Sequence, residues 1–276
     1  FKSWFVDFDP VKAKISVKDA WINLHGAIPA TDSLVYADYA QSLCAAAMSV
    51  ISGKTTAQLE VFATQTPEQY QSLKATADLF PDAMQDSELG DVPEGWAVKK
   101  VDEILSRLKP KKRYTKKEVE PYGKIPVYEQ GASILLGFHN NEAGFKASPE
   151  EPIFIFGDHT CITHLSCSVF DISQNVIPIM GSIRPTVWTF YAIEGKQKFQ
   201  EYRRHWSEFI VKDVCLPTEG ICLNFTKMVT QQLLISESLK QENLKLTQLR
   251  DTLLPKLLSG EIRISVVEES ITKVIE

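Results

Sequence analysis

Three clusters in this 276-residue sequence carry side chains that could do chemistry. The first is Lys109-Pro110-Lys111-Lys112-Arg113-Tyr114-Thr115-Lys116-Lys117, in which six of nine residues are cationic. Lys and Arg beside a polyanion release condensed counterions and gain affinity, so this run can contact phosphates. A solvated loop is the plain alternative for any charge run. The second cluster is Glu201-Tyr202-Arg203-Arg204-His205-Trp206, with Gln200 just ahead of it. Read as part of a helix over 195–206, it puts Gln200 on one face with Arg203 or with Arg204. Arg beside Gln suits the edges of guanine and adenine. A surface helix with Trp206 in the core fits the same spacing. The third cluster is Gly157-Asp158-His159-Thr160-Cys161, followed by His164 and Cys167. It could form a zinc site or a Cys/His nucleophile pair. Its spacing is irregular for zinc, however, and buried Cys commonly serves as a small core residue. A polar turn after a strand is the expectation, with no structural zinc and no disulfide.

Ser52-Gly53-Lys54-Thr55 imitates the end of a phosphate-binding loop. The first glycine of that pattern would have to stand where Met48 stands, so nucleotide binding is rejected. No S-adenosylmethionine loop, paired catalytic carboxylates or nuclease cluster stands out.

The elements that must position these clusters follow from composition and pattern. Hydrophobic residues make up 44% and charged residues 24%, a globular balance that excludes wholesale disorder. No apolar run approaches the roughly 18 residues of a membrane span. Five cysteines at irregular spacing, with no visible leader peptide, suggest reduced thiols and a cytoplasmic protein. The start in mid-pattern suggests a piece of something longer. Net charge is −5, yet residues 96–217 carry 17 Lys and Arg against 14 Asp and Glu, so the remainder is the acidic part. Asp78, Asp82, Asp86, Glu88, Asp91 and Glu94 form a stretch without a cation, which reads as a linker.

Trp4, Phe5 and Phe8 are too aromatic for a free tail. Thr31 or Asp32 can cap a helix to about residue 51, with Ser52-Gly53 as its stop. A second helix is expected over 55–63. A third starts at Thr66-Pro67-Glu68-Gln69, with Gln69 reaching back as in a capping box, and stops near Phe80-Pro81. After Pro93-Glu94-Gly95-Trp96 the texture changes to short strands, expected at 125–128, 152–156, 168–172, 176–180 and 186–193, with a closing strand over 208–216. After Pro217–Gly220, Asn224 can cap a long helix to 254. Its heptad positions include Met228, Ile235, Leu239, Leu246, Leu249 and Leu253, with Gln232 and Glu242 between them. This is a coiled-coil seam; a plain amphipathic surface helix is the alternative. Pro255 is expected to end or kink that helix.

The segment from Leu249 through Leu253-Leu254-Pro255-Lys256-Leu257-Leu258-Ser259-Gly260-Glu261-Ile262 resembles the closing motif of the specificity subunit of type I restriction–modification systems. Phe1-Lys2-Ser3-Trp4-Phe5-Val6-Asp7-Phe8-Asp9-Pro10 is similar to the end of that family's central conserved helix. Leu79-Phe80-Pro81-Asp82, then Glu88-Leu89-Gly90 and Pro93-Glu94-Gly95-Trp96, resemble its lead-in to a target recognition domain. Residues 154–161 are similar to a stretch of such domains. The motifs stand in the family's order and span nearly the whole chain, which looks like the second half of such a subunit.

The expected architecture is α+β: a β-rich mixed target recognition domain, then a long coiled-coil helix, with a helical spacer ahead of both. The expected divisions are 1–19, the end of the central conserved region; 20–90, the spacer; 91–217, the recognition domain; 218–264, the conserved helix; and 265–276, a tail. The resemblance implies a non-catalytic subunit that recognises double-stranded DNA for partner modification and restriction subunits. Those partners would carry S-adenosylmethionine, ATP and magnesium, and this chain would bind no cofactor. The candidate DNA-binding residues are Lys109, Lys111, Lys112, Arg113, Lys116, Lys117, Gln200, Arg203 and Arg204. The exposed seam also suggests self-association. The rival readings are a hydrolase using Cys161 with His159 or His205, and a coiled-coil scaffold without DNA readout.

Overall fold

The computed structural model describes residues 1–201 and 203–262. They divide into a unit spanning Phe1–Thr230 and a second beginning at Gln231. The expected tail at 265–276 lies outside the described residues.

The first unit opens with helices α1 (Lys2–Phe5), α2 (Asp9–His25), α3 (Tyr36–Ser52), α4 (Thr56–Gln65) and α5 (Pro67–Asp78). The expected division at 19/20 therefore falls inside α2. Gly53 ends α3 at φ 67°, a conformation that a side chain would strain. Thr55 and Gln58 then form a capping box on α4, with Gln58 Oε1 accepting from Thr55 N–H at 2.9 Å. The imitation phosphate loop is thus a helix stop followed by a helix start.

Two expected caps fail. Thr31 and Asp32 sit in a turn that Ser33 N–H closes onto the Ala30 carbonyl, and α3 begins only at Tyr36. Thr66 does precede α5, but its hydroxyl donates backward to the Phe62 carbonyl at 3.2 Å and leaves the new helix uncapped. The helical core is Cys44, Ala47, Met48, Leu59 and Ala77. Lys14 of α2 is buried and donates to the Phe80 carbonyl, and burial lowers its pKa.

A hairpin of β1 (Met84–Gln85) and β2 (Val92–Pro93) leads into β3 (Ala97–Lys100). The short helix α6 (Val101–Ile104) and β4 (Leu105–Arg107) follow. The remaining strands are β5 (Ile125–Tyr128), β6 (Leu135–His139), β7 (Ile153–Gly157), β8 (Thr163–Ser166), β9 (Asp171–Ile172), β10 (Val176–Gly181) and β11 (Asp213–Leu216). The antiparallel order β4-β10-β7-β8 makes the main sheet, with β4 at its edge. A second sheet runs β6-β5-β9, with β5 and β9 parallel. Strand β11 returns to pair antiparallel with β3, so the two ends of the β-rich part meet.

Strand β7 is buried on both faces, which is why Ile153-Phe154-Ile155-Phe156 reads as an unbroken apolar run. Alternate residues leave a strand on opposite sides. Ile153 and Ile155 pack with Phe145, Phe170, Ile172 and Val176. Phe154 and Phe156 point the other way, onto α7 (Thr186–Ile193) and α8 (Trp206–Phe209).

Two expectations about these helices are corrected. Residues 186–193 form a helix, not a strand. Seven of the eight are buried, so the segment shows no helical stripe, and its Val, Trp, Thr, Phe and Ile content imitates a buried strand. Among the described residues of 195–206 the expected helix is not formed; the helix here is Trp206–Phe209. The closing strand expected over 208–216 is shorter, Asp213–Leu216.

An aromatic cluster joins the parts of this unit. The Phe5 ring lies 5.3 Å from Phe225, 6.0 Å from Trp96 and 6.1 Å from Trp188. Trp4 meets Phe80 edge to face at 5.3 Å. These rings come from α1, the end of the helical part, the start of the β-rich part, α7 and α9 (Glu219–Leu258).

Helix α9 starts at Glu219, so Asn224 is inside it rather than its cap; the Asn224 amide donates to Thr76 Oγ1 at 3.0 Å. Pro255 lies inside the helix and does not end it, since the helix runs on to Leu258. A proline lacks an amide donor and its ring crowds the preceding turn, but the turn after it still closes, with Ser259 N–H reaching the Pro255 carbonyl at 2.9 Å. Among the described residues, no helix is long and apolar enough to cross a membrane.

Phe5 is 5% exposed at the centre of the aromatic cluster. Replacing it with Ala should cost about 3–5 kcal/mol through lost burial and the cavity left behind. Denaturant unfolding of the Phe5→Ala variant checks this; a loss below about 1 kcal/mol would show that the cluster does not hold the unit together.

Candidate nucleic-acid interface

The basic run 109–117 is not a loose loop. Its middle is pinned to the second sheet. Tyr114 N–H donates to the Ile172 carbonyl at 2.9 Å, and the Tyr114 ring stacks on His139 at 4.3 Å. His139 Nδ1 accepts Asn141 N–H at 3.1 Å, which leaves Nε2 to donate to Asp171 Oδ2 at 3.0 Å. Asp171 Oδ2 also accepts Gly144 N–H at 2.9 Å. A Cβ on Gly144 would stand 2.2 Å from Asp171 Oδ1, so only glycine allows this approach.

Pinning sorts the cations of the run into two kinds. Arg113 is half-buried, and its Nη1 donates to the carbonyls of Ser173 at 2.9 Å and Val176 at 2.8 Å. It is therefore in part a structural bolt, which sequence spacing could not separate from its neighbours. Lys112 lies over the Tyr114 ring and pairs with Glu118 at 2.9 Å. Glu118 also accepts from the Thr115 hydroxyl and amide, and these contacts, the Lys112 bond first, pull its pKa down to about 2. Lys109, Lys111, Lys116 and Lys117 are exposed.

The described residues of the second predicted cluster form bends and irregular backbone leading into α8. Arg203 is drawn to Glu201 at 2.8 Å and to Glu208, so two carboxylates offset its charge. Arg203 and Gln200 do meet, as the spacing suggested, with Nη2 donating to Gln200 Oε1 at 3.1 Å. They meet without a helix. Arg204 is different: its side chain is 77% exposed, and its Nε stands 3.8 Å from Asp158 Oδ2. Asp158 itself is nearly buried, and its Oδ1 accepts the amides of His205 at 3.2 Å and Trp206 at 3.0 Å at the start of α8.

The two segments converge on one cleft of about 400 Å³, lined by Arg107, Arg113, Asp158, Asn175, Arg204 and Trp206 among others. Arg113 and Arg204 belong to the sequence-based set; Lys109, Lys111, Lys112, Lys116, Lys117, Gln200 and Arg203 lie outside the lining. Arg107 was missed. It ends β4 and lies over the Trp206 ring, 5.7 Å from its centroid. The available signal was the continuation of the basic run backward across Leu108. Burial first, and then the neighbouring Arg107 charge, lower the pKa of Arg113. The cleft therefore gathers guanidinium charge that its own walls do not fully offset.

The third cluster does not present an activated thiol. Cys161 stands at φ 58° in the turn after β7. Burial, with Glu208 and Asp158 nearby, raises its pKa, the opposite of an activated nucleophile. The buried His205 places Nε2 3.0 Å from the Glu201 carbonyl and Nδ1 3.4 Å from Gln197 Nε2. All five cysteines are free, and no group of three His, Cys, Asp or Glu among the described residues could hold a metal ion.

The predicted seam is exposed along α9. Met228, in the first unit, is 49% exposed. In the second unit, Ile235, Leu239, Leu246 and Leu249 are exposed and Leu253 is half-buried.

No protein-family model matches the chain. It is 27% identical over 292 residues to the type I restriction enzyme HindI specificity subunit of Haemophilus influenzae, a match covering 95% of this chain and 60% of that protein. The chain thus spans about three-fifths of the relative's length. Structural matches include the S subunit of a type I restriction–modification system from M. genitalium, with a TM-score of 0.43 at 16% identity over 90% of this chain and 59% of that one. Another is the HsdS subunit from Thermoanaerobacter tengcongensis, with a TM-score of 0.37 at 14% identity over 79% and 57%. Over nearly its whole length, the chain is similar in sequence to the specificity subunit of a type I restriction enzyme.

Proposed function

We propose that this chain recognises double-stranded DNA and directs the methylation and cleavage performed by partner subunits, itself being non-catalytic. The observation that carries the reading is the meeting of two cationic segments, far apart in sequence, on one cleft. Exposed Lys109, Lys111, Lys116 and Lys117 would contact phosphates beside that cleft, while Arg204 lies in its lining. Similarity to the HindI specificity subunit supports the same reading. Modification subunits and a restriction subunit are the proposed partners, and S-adenosylmethionine, ATP and magnesium belong to them. The seam on α9 is the proposed surface for modification subunits and for self-association, because contiguous exposed apolar residues favour burial against a partner.

Replacing Lys111, Lys112, Lys116 and Lys117 with Ala should weaken binding to every duplex sequence. It should also flatten the plot of log affinity against log salt by roughly 0.9 per lost contact. Fluorescence anisotropy across a sodium chloride series measures both; an unchanged affinity and slope removes the segment from the interface. Glu118→Gln should do the reverse, tightening binding by releasing Lys112. Since Glu118 is held to about 2, it stays ionised at neutral and mildly acidic pH, and the Lys112 restraint should be constant from pH 5 to 8.

For the seam, Leu246→Lys with Leu249→Lys places cations where apolar contact is required. Self-association and capture of a modification subunit should both be lost while the melting of the first unit is unchanged. Sedimentation and a pull-down decide this, and retention of both activities would show that the seam lies elsewhere.

A further inference from the structure

We propose that the cleft between Arg107, Arg113, Arg204 and Trp206 is a seat for one backbone phosphate of a nucleic acid, with Arg107 as its principal ligand. The proposal rests on the DNA-binding reading for the source of the phosphate and assigns a role to a residue outside the basic run.

Three observations converge on an anion. Arg107 is exposed at the end of β4 with its guanidinium over the half-buried Trp206 indole, 5.7 Å from the ring centroid, so the ring biases it toward the cleft before any ligand arrives. A fork biased in this way loses less freedom on forming paired hydrogen bonds to phosphate oxygens. Among the described residues, neither Arg107 nor Arg113 forms an ion pair within 4.0 Å; Arg113 is held instead by two backbone carbonyls through Nη1, which leaves Nη2 and Nε for a ligand. The two cations are near enough for Arg107 to disfavour the charged form of Arg113, a repulsion that a bound anion would relieve. Arg204 adds a third, exposed guanidinium at the rim.

The ligand must also reach the site. Base edges of a duplex lie at the bottom of a groove, whereas phosphates project from it. A cleft in a protein surface therefore meets the backbone first. Such a contact carries no sequence information itself but fixes the register from which neighbouring groups read bases. Asp158 is the one carboxylate in the lining, and it opposes an anion. Its Oδ1 is committed to the amides that begin α8, and its Oδ2 faces Arg204. This makes Asp158 the discriminating position. Against phosphate its charge is a cost; against the donor groups of a base it would be an asset.

The test uses the full chain and a random-sequence duplex of about thirty base pairs, with affinity measured across a salt series. Arg107→Ala should weaken binding to all sequences and reduce the salt slope by roughly 0.9. Asp158→Asn keeps the acceptors for α8 and should tighten binding. A parallel titration with inorganic phosphate should move the Trp206 indole resonance, assigned with Trp206→Phe. Salt-dependent binding by the wild type with Arg107→Ala unchanged overturns the seat and leaves the DNA reading standing. Weaker binding by Asp158→Asn also overturns it, in favour of a base edge. If the wild type binds no duplex, the DNA reading falls, and the titration still decides the cleft. A shifted Trp206 resonance then supports a seat for free phosphate, and an unmoved one overturns the seat.

Discussion

The first unit is organised by a cluster of large rings that no single element could bury. Phe5 presents edge-to-face or tilted contacts to Phe225, Trp96 and Trp188, while Trp4 meets Phe80. Each ring brings a substantial apolar area and a preferred geometry. Because their owners lie on α1, the end of the helical part, the start of the β-rich part, α7 and α9, one burial event fixes the spacing of all of them. Loss of the cluster would release the β-rich part from the helices as well as lower stability.

A second set of contacts carries that order to the cleft. Asp171 holds His139 and the Gly144 amide, His139 supports Tyr114, and Tyr114 with Arg113 bolts the basic run to β9 and β10. On the other wall Asp158 ties the 201–206 segment to the end of β7 through two amides. Both walls are anchored by buried or nearly buried carboxylates. The cations between them stand on a rigid frame, so the entropy of ordering long side chains is partly spent in folding.

The arrangement also explains why formal charge is a poor guide here. The net charge of −5 argues against binding a polyanion, and a simple count treats all Lys and Arg of the basic segments alike. Pairing separates them. Arg203 and Lys112 are offset by carboxylates, Arg113 is shared with backbone carbonyls, Arg204 has a long 3.8 Å contact with Asp158, and Arg107 and four lysines stay available. The charge that the cleft and its surroundings present to solvent depends on this remainder.

Sequence by itself determined the features that rest on local chemistry. The helix stop at Gly53, the helix start at Thr55, strands β5, β7 and β10, the apolar stripe of α9 and the family motifs were all legible, because each depends on residue type at short spacing. The character of α7 was not, since a helix buried on every side shows no periodicity and borrows the composition of a strand. The caps at Thr31 and Thr66 fail for local reasons: Thr31 sits in a turn closed by Ser33 N–H on the Ala30 carbonyl, and the Thr66 hydroxyl donates back to the Phe62 carbonyl. Tertiary structure alone decided the cleft. Arg107, Arg113, Asp158 and Arg204 are brought together by the pairing of β4 with β10 and β10 with β7, contacts set by register between distant strands. Local pattern carries no information about which distant segments will share a wall, because that choice is made by burial summed over the whole core.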